Sequence, residues 1–143
     1  DPDFIKKADK VIFPGQGAMP DCIEELDKRG LRDVVIESAK KKPFLGICLG
    51  LQLLFEKSEE GDVEGFGIFE GKIKKFQPSK QERIKIPHMG WNKVQQYKNH
   101  PMWNNINPGS SFYFVHSFYA SDVYKRQIPN PSTSPSSLFS KRS

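Results

Sequence analysis

Short apolar runs alternate with amphipathic stretches in the first half of the chain, which predicts strands alternating with helices. The run at residues 10–13 ends at a Pro-Gly-Gln-Gly loop and is typical of a strand that enters a tight turn. A helical pattern follows, with Asp21 expected as its capping residue and Gly30 as its stop. A second helix is predicted at residues 31–42, because Pro43 prevents its continuation.

The next two segments repeat this order. Residues 44–47 predict another buried strand, and residues 49–57 predict another helix. Strand, helix, strand, helix in succession predicts a mostly parallel sheet with helices on both faces. Ligands of such sheets bind beyond the carboxyl ends of the strands, where the loops at residues 14–17 and 46–50 both fall. We therefore expect these two Gly-rich loops to face one crevice.

From Gly61 onward the pattern changes to strands punctuated by glycine. They are predicted within residues 65–76, 83–97 and 110–120. In residues 112–120 both alternating faces are apolar or aromatic, which predicts a strand covered on both sides.

The pattern breaks after Ser121. Residues 122–143 are rich in Ser and Pro and have no usable periodicity, which favours disorder. The abrupt onset of this composition indicates sequence unrelated to the rest, joined to a broken coding frame. We therefore expect a partial domain at residues 1–121, followed by a tail at residues 122–143 that is disordered or artefactual.

The composition argues against a membrane-spanning, secreted or nucleic-acid-binding protein. The chain has 143 residues, 36% of them hydrophobic, which suits one globular domain. It has no apolar run of membrane-spanning length and no signal-peptide pattern, so a cytoplasmic location with reduced cysteines is expected. The formal net charge is +5, but residues 122–143 contribute +3 of it, and three lysines lie together at a predicted helix end, residues 40–42. We therefore do not interpret the charge as nucleic-acid binding.

Cys48 carries the candidate chemistry. It lies between Gly46 and Gly50, in the form of a nucleophile elbow, where small neighbours let the backbone bend sharply and the side chain project. At a helix N-terminus the dipole favours thiolate over thiol, and the N–H of Leu49 would point toward an oxyanion. Gln52 lies one turn further along the same helix face, within reach of a substrate at Cys48.

A free cysteine at a strand end is often only a small buried hydrophobe. That is our interpretation of Cys22, whereas the second Gly-rich loop favours the functional interpretation of Cys48. The sequence has no His, Cys, Asp or Glu cluster with metal-ligand spacing, so neither a metal nor another cofactor is predicted.

Four motifs, in this order, resemble those of class I (triad-type) glutamine amidotransferases. FPGQG at residues 13–17 is similar to the family's oxyanion-strand loop, and GICLGLQLLFE at residues 46–56 to its nucleophile segment. PHMGWN at residues 87–92 and YFVHSFY at residues 113–119 resemble the glutaminase subunits of imidazole glycerol phosphate synthases. Leu51 agrees with this group, because amidotransferases of the carbamoyl phosphate, GMP and anthranilate pathways usually carry His at this position.

This resemblance implies a flavodoxin-like α/β fold, incomplete at both ends, and glutamine hydrolysis in histidine biosynthesis. Cys48 would attack the side-chain amide of glutamine to form a thioester, and the ammonia would pass through a channel to a (β/α)8-barrel cyclase subunit in a heterodimer. The resemblance assigns Gln16, Gly17 and Leu49 to the oxyanion hole, Gln52, Ser117 and Phe118 to glutamine binding, and Trp91 and Tyr113 to the partner interface. Many relatives have Tyr where this chain has Phe118, which leaves that contact open.

In the family, a His and a Glu in an HPE motif supply the general base and the group that orients it, and no HPE occurs in this chain. We assign none of His88, His100 and His116 to this role, and we expect His116 to be a hydrogen-bonded core or pocket-wall residue. The chain is therefore expected to be an internal fragment of such a subunit, with negligible glutaminase activity by itself.

Two other functions stay open. An amidotransferase with another acceptor would use the same chemistry, and binding of a synthetase rather than a barrel cyclase would identify it. A non-catalytic module would use the same surface only to bind a partner, and its cysteine would not react with an electrophilic glutamine analogue.

Overall fold

The computed structural model describes residues 1–78, 85–96 and 98–121. The helices are α1 (Pro2–Lys7), α2 (Met19–Lys28), α3 (Arg32–Lys41), α4 (Leu49–Gln52) and a 3₁₀ turn (Pro101–Trp103). The strands are β1 (Val11–Gly15), β2 (Phe44–Cys48), β3 (Phe55–Ser58), β4 (Val63–Glu64), β5 (Phe69–Lys75), β6 (His88–Lys93), β7 (Ser111–His116) and β8 (Phe118–Ser121). Within these ranges, no helix combines the length and the apolar character needed to cross a membrane. The predicted tail at residues 122–143 lies outside the described residues.

The two predicted strands of the first half pair in parallel. Their register runs from Val11 beside Phe44 to Gly15 beside Cys48, so both strands end at the same level. The Gly-rich loops that follow β1 and β2 therefore emerge side by side, and residues of both line one cavity. The expectation of a shared crevice is confirmed.

Helix α2 begins at Met19, two residues before the predicted cap Asp21, and its N-cap residue Ala18 offers no side-chain acceptor. The first free N–H of the helix, that of Met19, donates instead to Glu60 Oε2 at 3.0 Å. A carboxylate 41 residues away thus does what a local cap usually does. The predicted end is correct, because Gly30 follows the helix with a φ of +62°.

The predicted helix at residues 49–57 is wrong beyond its first turn. Helix α4 ends at Gln52, and Phe55 opens strand β3, which pairs in parallel with β5. The carbonyls of Leu53 and Leu54, which a longer helix would use internally, accept from the N–H groups of Phe66, Ile68 and Phe69. This pairing buries Leu53, Leu54 and Phe55 completely, whereas consecutive positions of a helix point in different directions.

The strand predicted at residues 112–120 is also wrong in two respects. It breaks at Ser117 into β7, which pairs with β6, and β8, which pairs with β5 in the sheet of order β4-β3-β5-β8. One face of β7 is exposed, with Tyr113 and Val115 at 54% and 50% of their full accessibility. Apolar alternation alone does not distinguish a covered face from an exposed one.

The core lies between α2, α3, α4 and the two strands they cover. Its buried members are Met19, Leu26, Val35, Ala39, Phe44, Leu49, Leu53, Leu54 and Phe66. The α/β fold class is confirmed, with sheets that mix parallel and antiparallel pairs.

Candidate active site

Cys48 sits on a sharply bent backbone at the junction of β2 and α4. Its φ of +56° and ψ of −121° lie in a region that residues with a side chain rarely adopt, and the residue is exposed. The bend folds α4 back against the strand: a methyl group on Gly46 would lie 2.7 Å from the Gly50 carbonyl oxygen. The glycine before Cys48 is therefore a steric requirement of the bend.

The second glycine of the motif lets α4 approach the neighbouring strand. A methyl group on Gly50 would collide with the carbonyl oxygen of Phe13, and one on Gly15 would lie 2.8 Å from the Gly50 nitrogen. The two Gly-rich loops are thus packed backbone to backbone, which holds the end of β1 beside Cys48.

A cavity of about 190 Å³ opens at this point. It brings together all the residues predicted for catalysis, oxyanion stabilisation and substrate binding: Gln16, Gly17, Cys48, Leu49, Gln52, Ser117 and Phe118. These residues come from three segments that are far apart in the sequence. The remaining lining residues are Glu60, Pro87, Val115 and His116.

Gln52 lines this cavity. Its Oε1 is buried and has no hydrogen-bond partner among the residues that the structure describes. A buried carbonyl oxygen without a donor is costly, so this atom is an unsatisfied acceptor beside the cavity.

His116 forms part of the opposite wall. Burial lowers the pKa of its imidazole below the ordinary value; the hydrogen bond to the Phe118 carbonyl opposes this shift, and His88 adds to it. Both ring nitrogens are hydrogen-bonded, Nδ1 to the Phe118 oxygen and Nε2 to His88. The imidazole is therefore not free to accept a proton from Cys48, which agrees with the expected wall role.

Trp91 and Tyr113, predicted at a partner interface, lie outside the cavity on the exposed side of β6 and β7. Their rings meet edge to face at 5.6 Å between centroids, and they are 71% and 54% exposed. The strand register sets Met89 beside Val115 on the same side, both at least half exposed. We call these four residues the apolar face; a contiguous exposed apolar patch is typical of an interaction site.

Comparison with known proteins gives the family. Residues 5–136 match the family model described as glutamine amidotransferase class-I. The chain is 54% identical over 123 residues to imidazole glycerol phosphate synthase subunit HisH of Nitrosospira multiformis, covering 82% of this chain and 58% of that protein. The corresponding protein of Chromobacterium violaceum is 56% identical over 122 residues, with 83% and 58% coverage. That of Neisseria meningitidis serogroup B is 49% identical over 140 residues, with 95% and 66% coverage.

The chain belongs to the class I glutamine amidotransferase family. It spans 58% of the length of the first two of these relatives. The resemblance inferred from four short motifs is thereby confirmed at the level of the family, while the roles of individual residues stay predictions.

One polar residue that lines this cavity, Glu60, was not predicted from the sequence. It lies in a turn, where its N–H donates to Ser58 Oγ at 3.0 Å and its carboxylate accepts from the start of α2. Nothing in its local sequence distinguishes it from Glu59, because the contact that orients it comes from a distant helix. No sequence signal available in one chain could have found it.

Proposed function

We propose that this chain is the glutamine-hydrolysing part of an imidazole glycerol phosphate synthase, which supplies ammonia to a cyclase subunit in histidine biosynthesis. The observation that carries the proposal is the convergence of Cys48, two Gly-rich loops and the Ser117 segment on one cavity. The names of the relatives support the same assignment.

In this proposal the Cys48 thiolate attacks the side-chain carboxamide carbon of glutamine. The carbon–sulfur bond forms as the carbonyl becomes an oxyanion, which the N–H of Leu49 and the Gln16–Gly17 peptide would stabilise. The carbon–nitrogen bond then breaks, the nitrogen takes up a proton and leaves as ammonia, and water hydrolyses the thioester to glutamate. The proton transfers need a general base, which the family takes from its His–Glu pair.

Two polar groups in the cavity suit the remainder of a glutamine molecule. The amide of Gln52 would hydrogen-bond to the substrate, and the Glu60 carboxylate would face a positively charged amino group. The ammonium group of a free amino acid must be neutralised once it leaves water, and the carboxylate of Glu60 would do this.

The apolar face would bind the partner, a (β/α)8-barrel cyclase with which the chain forms a heterodimer. Trp91 and Tyr113 are large, exposed and in mutual contact, which is typical of residues that dominate the energy of an interface. The face is carried by β6 and β7, and β7 leads directly into the cavity wall at Ser117.

The test is ammonia release from glutamine by the full-length gene product, with and without a purified barrel cyclase. We expect glutamine-dependent ammonia and a complex that contains the cyclase. Capture of a synthetase instead would indicate an amidotransferase with another acceptor. A complex that releases no ammonia would indicate a non-catalytic module and overturn the proposal.

A further inference from the structure

Three side chains of β6 and β7 form a continuous hydrogen-bonded chain behind the cavity wall. Asn92 Nδ2 lies 2.7 Å from His88 Nε2, and His88 Nδ1 lies 3.0 Å from His116 Nε2. His116 Nδ1 lies 2.8 Å from the carbonyl oxygen of Phe118. The chain runs from an exposed amide to a backbone atom of the cavity wall.

The backbone carbonyl at the end of this hydrogen-bonded chain determines which ring nitrogens carry hydrogen. The Phe118 carbonyl can only accept, so His116 Nδ1 carries a hydrogen and, in the neutral ring, Nε2 is an acceptor. His88 Nδ1 must then donate, which leaves His88 Nε2 to accept from the Asn92 amide. One arrangement satisfies all three contacts, and both imidazoles are neutral in it with hydrogen on Nδ1.

The hydrogen-bonded chain ends where the backbone passes from one sheet to the next. His116 pairs with β6, Phe118 pairs with Lys75 of β5, and Ser117 between them belongs to neither ladder. That carbonyl accepts from the N–H of Phe76 at 3.0 Å. The imidazole of His116 thus bridges the residues on both sides of Ser117, and its ring packs edge-on against Phe76 at 4.9 Å between centroids.

We propose that His116 is a positioning residue, which holds Ser117 and Phe118 at the cavity wall in a geometry that His88 enforces by selecting its tautomer. The inference rests on the proposed function only in taking glutamine as the ligand of this wall.

The surroundings of His116 favour its neutral form. His88 faces it from β6, Glu60 and Cys48 line the same cavity, and Phe76, which follows β5, is uncharged. Burial and His88 lower the pKa of His116 while the bond to the Phe118 carbonyl opposes them, so the imidazole is neutral near pH 7.

Two readouts on the full-length gene product test the proposal. Nitrogen-15 NMR of the imidazoles reports the tautomers directly, and hydrogen on Nδ1 is expected for both His88 and His116 at neutral pH.

The second readout is a ratio of two alkylation rates of Cys48, that with a chloroketone analogue of glutamine divided by that with iodoacetamide. This ratio measures how well the cavity wall recognises the glutamine part of the reagent, because the ionisation of the thiol cancels.

His116→Phe keeps the ring packing but loses both polar contacts, and we expect this ratio to fall about tenfold. His88→Leu should lower it several-fold, whereas His88→Gln, whose amide can still donate to His116, should retain most of it. His100→Gln is the matched control and should change nothing.

Hydrogen on Nε2 of His116, or an unchanged ratio in His116→Phe, would overturn the positioning role. If His116→Phe does not fold, the positioning role is still tested by the tautomers of the unaltered protein and by the comparison of His88→Leu with His88→Gln. Alkylation by iodoacetamide without any by the chloroketone would instead refute the proposed function, and the NMR result would remain interpretable.

Discussion

The loops around Cys48 and the strands that carry the apolar face are built on different principles. Around Cys48, glycines at fixed spacing allow two backbones to touch, and a single added methyl group at Gly50 would meet the Phe13 carbonyl. On β6 and β7, Trp91 and Tyr113 are paired by strand register and contact each other, with most of their surface exposed. The first region is closely packed, whereas the second is largely exposed. The two regions should therefore respond to mutation in separable ways.

Cys48→Ser gives the largest expected effect. In the full-length gene product we expect ammonia release from glutamine to fall on the order of 10⁴-fold or more, since removing a nucleophile usually abolishes the reaction. The free energy of unfolding and the affinity for the cyclase should stay nearly unchanged. Cys22→Ser is the matched control, and a comparable loss there would contradict the assignment of the nucleophile.

Gly50→Ala should be the most damaging small change to the fold. The collision with the Phe13 carbonyl involves backbone on both sides, so we expect a loss of about 3 kcal/mol in the free energy of unfolding, measured in urea. Gly109→Ala is the control: its φ is +78° but nothing lies near the added methyl group, so strain alone should cost about 1 kcal/mol. Equal costs at the two positions would refute the close approach of the two loops.

Trp91→Ala and Tyr113→Ala should weaken binding to the cyclase, each by about 2 kcal/mol, or roughly 30-fold in Kd. The free energy of unfolding should change by no more than about 0.5 kcal/mol, because both side chains are largely exposed. Phe4, another aromatic residue and 77% exposed, lies on α1 and serves as the control. If Phe4→Ala weakened the complex as much as Trp91→Ala, the apolar face would not be the interface.

The smallest effect concerns pH. The folded-state pKa of His116 is lowered by burial, so the unfolded chain binds this proton more readily and stability falls as the pH drops below the ordinary histidine value of about 6.5. The stabilising contribution is present above that pH and is lost toward the lower folded-state pKa. Urea unfolding between about pH 8 and pH 5 should show a steeper decline than in His116→Phe. A decline of the same slope in both proteins would contradict the buried neutral state.

The cavity could be predicted largely from sequence because its parts are local. The bend at Cys48 requires glycines in the immediate sequence, and parallel pairing of β1 and β2 then brings Gln16 and Gly17 to the same end. Ser117 and Phe118 were predicted as site residues only through the family resemblance. The local pattern of an apolar strand does not indicate which segments lie beside it.

The errors of prediction arise where distant segments override local preference. Glu60 replaces the expected cap Asp21, and β5 turns the second half of a predicted helix into strand β3. The break at Ser117 depends on pairing with two different strands, which periodicity within one segment does not encode. In this chain, the local sequence therefore predicts the residues around Cys48 better than it predicts which strands pair.

The most direct test of the central claim is mass-spectrometric mapping of the residue that the chloroketone analogue of glutamine modifies, with and without excess glutamine. If Cys48 is the nucleophile of a glutamine site, the label falls on Cys48 alone and glutamine protects it. Label on Cys22, or label on Cys48 that glutamine does not prevent, would contradict the account.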